Sequence, residues 1–201
     1  MHHIRIIECS LLFALCAALC AGLWAQKQQR RLSGELVRLH VVANSDSESD
    51  QAAKLQVRDA ILAELSPSLS GVSGPAEAET CIQEALPRIQ RAARQSLQKS
   101  GKFYPAAAAL RYERFPQRSY SGFSLPAGNY VSLRVTLGEG QGHNWWCVVF
   151  PPLCTAVSED ESAFSRLPEE DADLIRCDGE EYCIRFRVLE LYGRLRAALE
   201  R

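Results

Sequence analysis

The sequence predicts an α+β domain: a mostly antiparallel sheet with two helices packed on one face, preceded by an N-terminal hydrophobic leader or anchor helix. Three observations carry this. Residues 6–25 form an apolar run broken only by Glu8 and small polar residues. Helical periodicity then fills the first half of the chain. From Pro105 onward, short β-type runs alternate with Gly and Pro turns. Helices gathered early and strands gathered late point to segregated layers, not alternating βαβ units.

The leader comes first. A run of about 20 apolar residues is long enough to span a bilayer. As a cleavage site Cys20-Ala21-Gly22 is passable and Leu23-Trp24-Ala25 poor, so an uncleaved anchor competes with a cleaved signal peptide. Residues 1–33 are therefore assigned to a signal peptide or membrane anchor with a basic flank, and residues 34–201 to a single extracytoplasmic α+β domain. Arg5 precedes the run, while Lys27, Arg30 and Arg31 follow it; on charge alone the positive-inside tendency keeps the following domain in the cytoplasm.

Residues 35–43, with Leu36, Leu39, Val41 and Val42, read as a buried strand. Residues 44–46 make a turn, and Ser45 with Glu48 fits a capping box opening a helix over residues 47–65. Its apolar face is Ala52, Leu55, Ile61, Leu62 and Leu65, and Ser66-Pro67 is expected to stop it. A second helix starts near Ala76 with Ile82, Ala85, Leu86, Ile89, Ala93 and Leu97 on one face. Pro87 is expected to kink or split it, and Gly101 to end it. Residues 107–115, 123–125, 130–137 and 145–150 read as strands, with the first strand inserted among them. The acidic residues 158–173 read as an exposed, mobile loop with room for a short helix. Residues 183–189 are expected to form a last strand, and 191–201 a terminal helix.

Several functions are disfavoured. With 23 basic and 24 acidic residues, the chain carries no electrostatic footprint for nucleic acid. The glycines at 138, 140 and 142 precede a strand-like run, not the helix that a phosphate cradle needs. Asn44, Asp46, Glu48 and Asp50 alternate like a calcium loop but lack its glycine and closing glutamate. His40 and His143 have no cysteine spacing that makes a zinc site. The expectation is no metal, no cofactor and no small-molecule substrate.

Cys9, Cys16 and Cys20 lie in the leader, leaving Cys81, Cys147, Cys154, Cys177 and Cys183, an odd number that allows at most two bridges. Cys147 and Cys154 flank Pro151-Pro152 and are candidates for a disulfide; buried thiols or a redox role are the alternatives. Cys177 and Cys183 flank the Asp178-Gly179 turn and form a second candidate pair. Cys147 as a nucleophile, with His143 or His40 as base and Asn144 or Asp46 orienting it, is disfavoured, because an apolar strand raises a thiol pKa. His40 reads as a satisfied sheet residue. Trp145 and Trp146 are adjacent on a strand and face opposite sides, so one should be buried and the other exposed, unless both are core.

Three stretches carry a family resemblance: Arg38-Leu39-His40-Val41-Val42-Ala43-Asn44-Ser45-Asp46-Ser47 continuing to Asp59, Leu125-Pro126-Ala127-Gly128-Asn129-Tyr130 continuing to Val135, and the glycine, tryptophan and proline block of residues 138–154. A weaker match lies at residues 185–190. Together they resemble the stage II sporulation protein R family of endospore-forming bacteria. The resemblance implies a non-catalytic signalling protein, exported from the forespore into the space between the two septal membranes and either secreted or held by its N-terminal helix. That location is opposite to the one the flanking charges suggest. Its implied partner is a membrane-embedded aspartic-type protease that processes the pro-form of sigma-E. The expected contact surface is Trp145, Trp146, His143 and Asn144, with Asn44 and Asp46 beside them. A secreted hydrolase acting on cell wall or peptide bonds is the alternative.

Overall fold

The computed structural model describes residues 2–120, 123–153 and 167–175. In chain order these form α1 (His2–Gly34), β1 (Val37–Val42), α2 (Glu48–Leu69), α3 (Pro75–Lys99), β2 (Ala106–Phe115), β3 (Arg118–Tyr120), β4 (Phe123–Leu125), β5 (Gly128–Leu137), β6 (Asn144–Phe150) and α4 (Glu169–Ile175). The chain divides into two compact units. One holds residues 33–115, 129–153 and 167–172; the described part of the other holds residues 2–32, 116–120, 123–128 and 173–175.

In the first unit a four-stranded sheet has the order β2-β5-β1-β6. β1 inserts between later strands, as expected. It runs parallel to β5, with Leu39 beside Leu133, and antiparallel to β6, with Leu39 beside Cys147. The Gly138 N–H donates to the Pro105 carbonyl at 2.8 Å, setting the end of β5 against the start of β2, so that pair is antiparallel too. The sheet is therefore mixed, with one parallel pair that the sequence reading did not specify. A parallel pair needs a long crossover, and α2 with α3 provides part of it.

Side-chain alternation gives the sheet two faces. One carries Val37, Leu39 and Val41 in line with Val131, Leu133 and Val135, and α2 and α3 bury it in a continuous apolar core. Both helices lie on that face, as predicted. The face of α2 is rotated from expectation. Ala53, Val57, Ile61, Leu65 and Leu69 are buried at four-residue spacing, whereas Ala52 and Leu55 are exposed.

Pro67, expected to stop α2, and Pro87, expected to kink or split α3, both sit inside their helices. α2 continues through Pro67 to Leu69, and α3 runs unbroken through Pro87. Each proline is exposed, as are Ala63 and Gln83 four residues earlier, so water can hydrate the carbonyls left without a donor. The α2 cap is Ser47, whose Oγ accepts the Asp50 N–H at 3.3 Å, and not Ser45 with Glu48. α3 ends as Gly101 suggested. Gly101 sits at φ 71, Lys102 N–H donates to Leu97 C=O at 2.8 Å, and Gly101 N–H donates to Gln98 C=O at 3.0 Å. This is a Schellman closure.

In the second unit α1 includes a stretch long and apolar enough to cross a membrane, with Leu11, Leu12, Phe13 and Leu15 exposed along it. The leader prediction thus has its helix. β3, which the sequence reading passed over, pairs with β4 in a short hairpin where Tyr120 stacks on Phe123 at 4.6 Å between ring centres. Its three residues are too few for a periodic signal.

α4 occupies part of the acidic stretch predicted to be an exposed loop with a short helix. The helix is there, but Leu167, Asp171 and Ala172 are buried, so exposure fails at those positions. The expected strand at 183–189, the helix at 191–201, and Cys154, Cys177 and Cys183 lie outside the described residues. Cys147 is buried on the helix-facing side of β6.

Candidate functional site

The residues singled out at 44–46 and 143–146 come together at one corner of the sheet, where the chain leaves β1 and enters β6. Two loops meet there. Gly142 N–H donates to Ala43 C=O at 3.0 Å, and Gln141 N–H donates to Asn44 C=O at 3.1 Å. Side chains lock the same loops: Asn44 Oδ1 accepts the Glu139 N–H at 3.0 Å, and Asp46 Oδ1 accepts the His143 N–H at 2.6 Å. His143 Nδ1 also pairs with Asp46. The His143 backbone donor, with its side chain second, holds the exposed Asp46 carboxyl below the ordinary carboxylate range.

The glycines allow this approach. A Cβ on Gly142 would fall inside the backbone carbonyl of Ser45, and one on Gly138, at φ 56, would overlap Asn44 Oδ1. At both positions any larger residue pushes the loops apart.

Beneath the loops sits a residue that the sequence places in the failed calcium pattern and in the first family stretch. Asp50, in the first turn of α2, is 3% exposed. Its Oδ1 accepts from Lys102 Nζ at 2.6 Å and Tyr104 Oη at 3.1 Å. Its Oδ2 accepts from Asn44 Nδ2 and Ser45 Oγ, both at 2.7 Å. These donors, Lys102 foremost, hold the Asp50 carboxyl far below its usual range. Burial, reinforced by the bond to Asp50, pushes the Tyr104 hydroxyl up to about 12. Lys54 Nζ donates to the His143 carbonyl at 3.0 Å, and burial pulls its pKa down. The signal for Asp50 is present in the sequence as Ser47 followed three residues later by an acid, a capping pattern two residues beyond that of Ser45 and Glu48.

On this base the two tryptophans diverge, as alternation requires. Trp145 joins the helix side, where the Arg58 guanidinium lies 4.4 Å from its ring centre. Trp146 lies on the other face, stacked on His40 at 3.9 Å and meeting Phe115 edge-on at 4.6 Å. Both are half-buried, so the expectation of one buried and one exposed ring gives way to two braced ones. Each ring has a partner on its own side of the sheet. The exposed tip is formed by His143, 79% exposed in its side chain, with Asn144 and Asp46.

The face of the sheet opposite the helices is polar and aromatic. Arg134, His40 and Trp146 lie in one row across β5, β1 and β6. His40 Nδ1 pairs with Glu113 Oε1 at 3.0 Å, and Glu113 also accepts from Ser132 Oγ at 2.8 Å and Arg134 at 3.2 Å. His40 Nε2 is buried without a hydrogen bond among the described residues, so the satisfied sheet histidine is satisfied at one nitrogen only. Arg38, fully buried, lies 4.2 Å from the Phe115 ring centre and 5.0 Å from that of Tyr130.

Cys147 and His40 face opposite sides of the sheet, which removes that histidine as a base for the thiol. Three of the four residues of the disfavoured calcium pattern direct oxygens to protein donors, Asn44 and Asp46 to loop N–H groups and Asp50 to its four partners. Among the described residues no group of three His, Cys, Asp or Glu side chains is placed to hold a metal ion.

Comparison with known proteins gives two matches. The family model described as stage II sporulation protein R matches residues 33–160. Stage II sporulation protein R of Bacillus subtilis (strain 168) is 35% identical over 156 residues, covering 74% of this chain and 70% of that protein. No solved structure matches.

Proposed function

Because the chain belongs to the stage II sporulation protein R family and so has a sporulation role, we propose that it is an exported activator. It docks on a membrane-embedded aspartic-type protease and thereby starts processing of the pro-form of sigma-E. The domain acts outside the cytoplasm, secreted or held by the α1 helix. It carries out no bond cleavage of its own.

The observation that supports this reading is the corner itself. Two loops are fixed to each other and to a buried carboxylate, and they display His143, Asn144 and Asp46 at an exposed tip backed by two braced tryptophans. A pre-ordered tip loses little conformational freedom on docking, which suits recognition. To act as a switch it must bind the active arrangement of the protease more tightly than the inactive one. Moving the protease from about 1% to 99% active takes about 5.5 kcal/mol of differential affinity. The hydrolase alternative is weakened by the setting of Cys147, buried in a strand and turned away from His40.

The test is the double variant His143→Ala, Asn144→Ala in sporulating cells, with exported protein and processed sigma factor both measured by immunoblot. Export should be unchanged while processing falls by about tenfold or more, the loss expected when a central contact is removed. Processing within about twofold of wild type, at equal export, refutes this surface.

A further inference from the structure

We propose that the sheet face beside the corner is a second part of the docking surface, shaped for an extended acidic segment of the partner protein. This rests on the activator reading above and adds the chemistry of the partner.

The open side of β2 and β5 forms a groove of about 380 Å³. Its floor is small, with Ala107, Ala109 and Thr136, and its rim carries Arg111 and Arg134. These residues share the sheet face of Glu113, His40 and Trp146, and Arg134, which lines the groove, is the first member of the row Arg134, His40, Trp146 that leads toward the tip beneath the surface. Arg111 is exposed and makes no hydrogen bond or ion pair among the described residues. Arg134 shares Glu113, but that carboxylate is also engaged by His40 and Ser132. Two guanidiniums therefore outweigh one carboxylate that is already in use.

The surrounding sequence carries the same sign. The two strands that form the groove, β2 and β5, carry three arginines, Arg111, Arg114 and Arg134, against one acid, Glu113. Arginine presents a planar fork that grips a carboxylate through two parallel bonds, which makes an Asp or Glu side chain the matching group. The concave shape decides between anionic partners. A bilayer surface is flat and cannot reach an alanine floor between arginines, whereas an extended peptide can.

The experiment co-expresses the full chain with the protease and the sigma-factor precursor. Arg111→Glu is the main variant, since an exposed side chain without partners can be reversed without loss of fold. Arg111→Lys and Arg134→Gln accompany it, and a photo-crosslinking residue at Ala109 maps what lies in the groove. Processing should fall by about tenfold in Arg111→Glu at equal protein level and stay within about threefold in Arg111→Lys. The crosslink should land on a protease peptide containing Asp or Glu, and reversing that acid to Lys should restore processing to Arg111→Glu.

Wild-type processing in both Arg111→Glu and Arg134→Gln overturns the inference, as does a crosslink to lipid, to a second copy of the chain or to a peptide without an acid. If the tip variant is dead while the arginine variants are active, this inference falls and the activator reading stands. If the wild-type chain fails to start processing with the protease present, the activator reading falls and takes this one with it.

Discussion

Ile61 and Asp50 share one helix and lie about 16 Å apart along its axis, yet they stabilise the same unit by different means. Ile61 is fully buried among apolar neighbours of the sheet and α3. Its contribution is spread over many weak contacts, none of which dictates geometry to better than a side-chain repacking. Asp50 is nearly as buried but holds four directed hydrogen bonds, each from a different residue and two of them from the loop that carries the tip. The first region fixes that the domain folds. The second fixes where a few exposed atoms stand, and it tolerates much less change.

The comparison predicts a graded set of effects. Ile61→Ala should be the most damaging, lowering stability by about 2–5 kcal/mol through lost burial and the cavity left behind. Urea denaturation would measure it, and on the proposed reading the surviving folded protein should still trigger sigma-factor processing. Asp50→Ala should cost about 2–3 kcal/mol, because it leaves Lys102, Tyr104, Asn44 and Ser45 without their acceptor. Unlike Ile61→Ala, it should lose activity even where folding is complete. If the two variants lose activity in proportion to stability alone, the contrast between the regions is wrong.

Gly142→Ala should destabilise by about 1–2 kcal/mol, since its methyl group must displace the Ser45 backbone, and activity should fall further than that stability loss accounts for. The mildest effect is that of acid. The folded-state pKa of Asp50 lies below its unfolded value, so the folded protein gains from ionisation. That gain is complete above the unfolded value of about 3.9 and is lost progressively as pH falls below it toward the folded pKa. Urea midpoints should therefore decline on acidification below about pH 4, and Asp50→Asn should flatten that part of the decline. An identical slope in the variant would remove Asp50 from its place at the hub.

Much of this was legible from the residues, and the failures have physical causes. β1, β4, β5 and β6 follow from runs of branched and aromatic residues between turns. α3 follows from its apolar periodicity, and its end from Gly101. The face of α2 was misjudged because leucines and alanines fall on several sides of it. Packing chose the row Ala53, Val57, Ile61, Leu65, leaving Leu55 outside. Pro67 does not stop α2 and Pro87 does not split α3, because local rules do not tell which side of a helix meets water.

At the site, Asn44, Asp46 and His143 were chosen from loops nearly a hundred residues apart, and the structure joins them. The capping pattern marks Asp50 as the start of a helix, but its role as a buried acceptor for Lys102 and Tyr104 has no local pattern, because its donors come from two separate segments, residues 44–45 and 102–104. Arg111 and Arg134 escaped for a related reason: only strand pairing puts them on one face.

On the proposed reading, the signal passes by contact at the polar corner and not across the helical layer. The most direct measurement places a photo-crosslinking residue at Asn144 in one sample and at the exposed Gln83 of α3 in another, in sporulating cells. Capture of the sigma-factor protease from Asn144 and not from Gln83 is the predicted result. Capture from Gln83 alone, or none from Asn144 while processing proceeds normally, would contradict it.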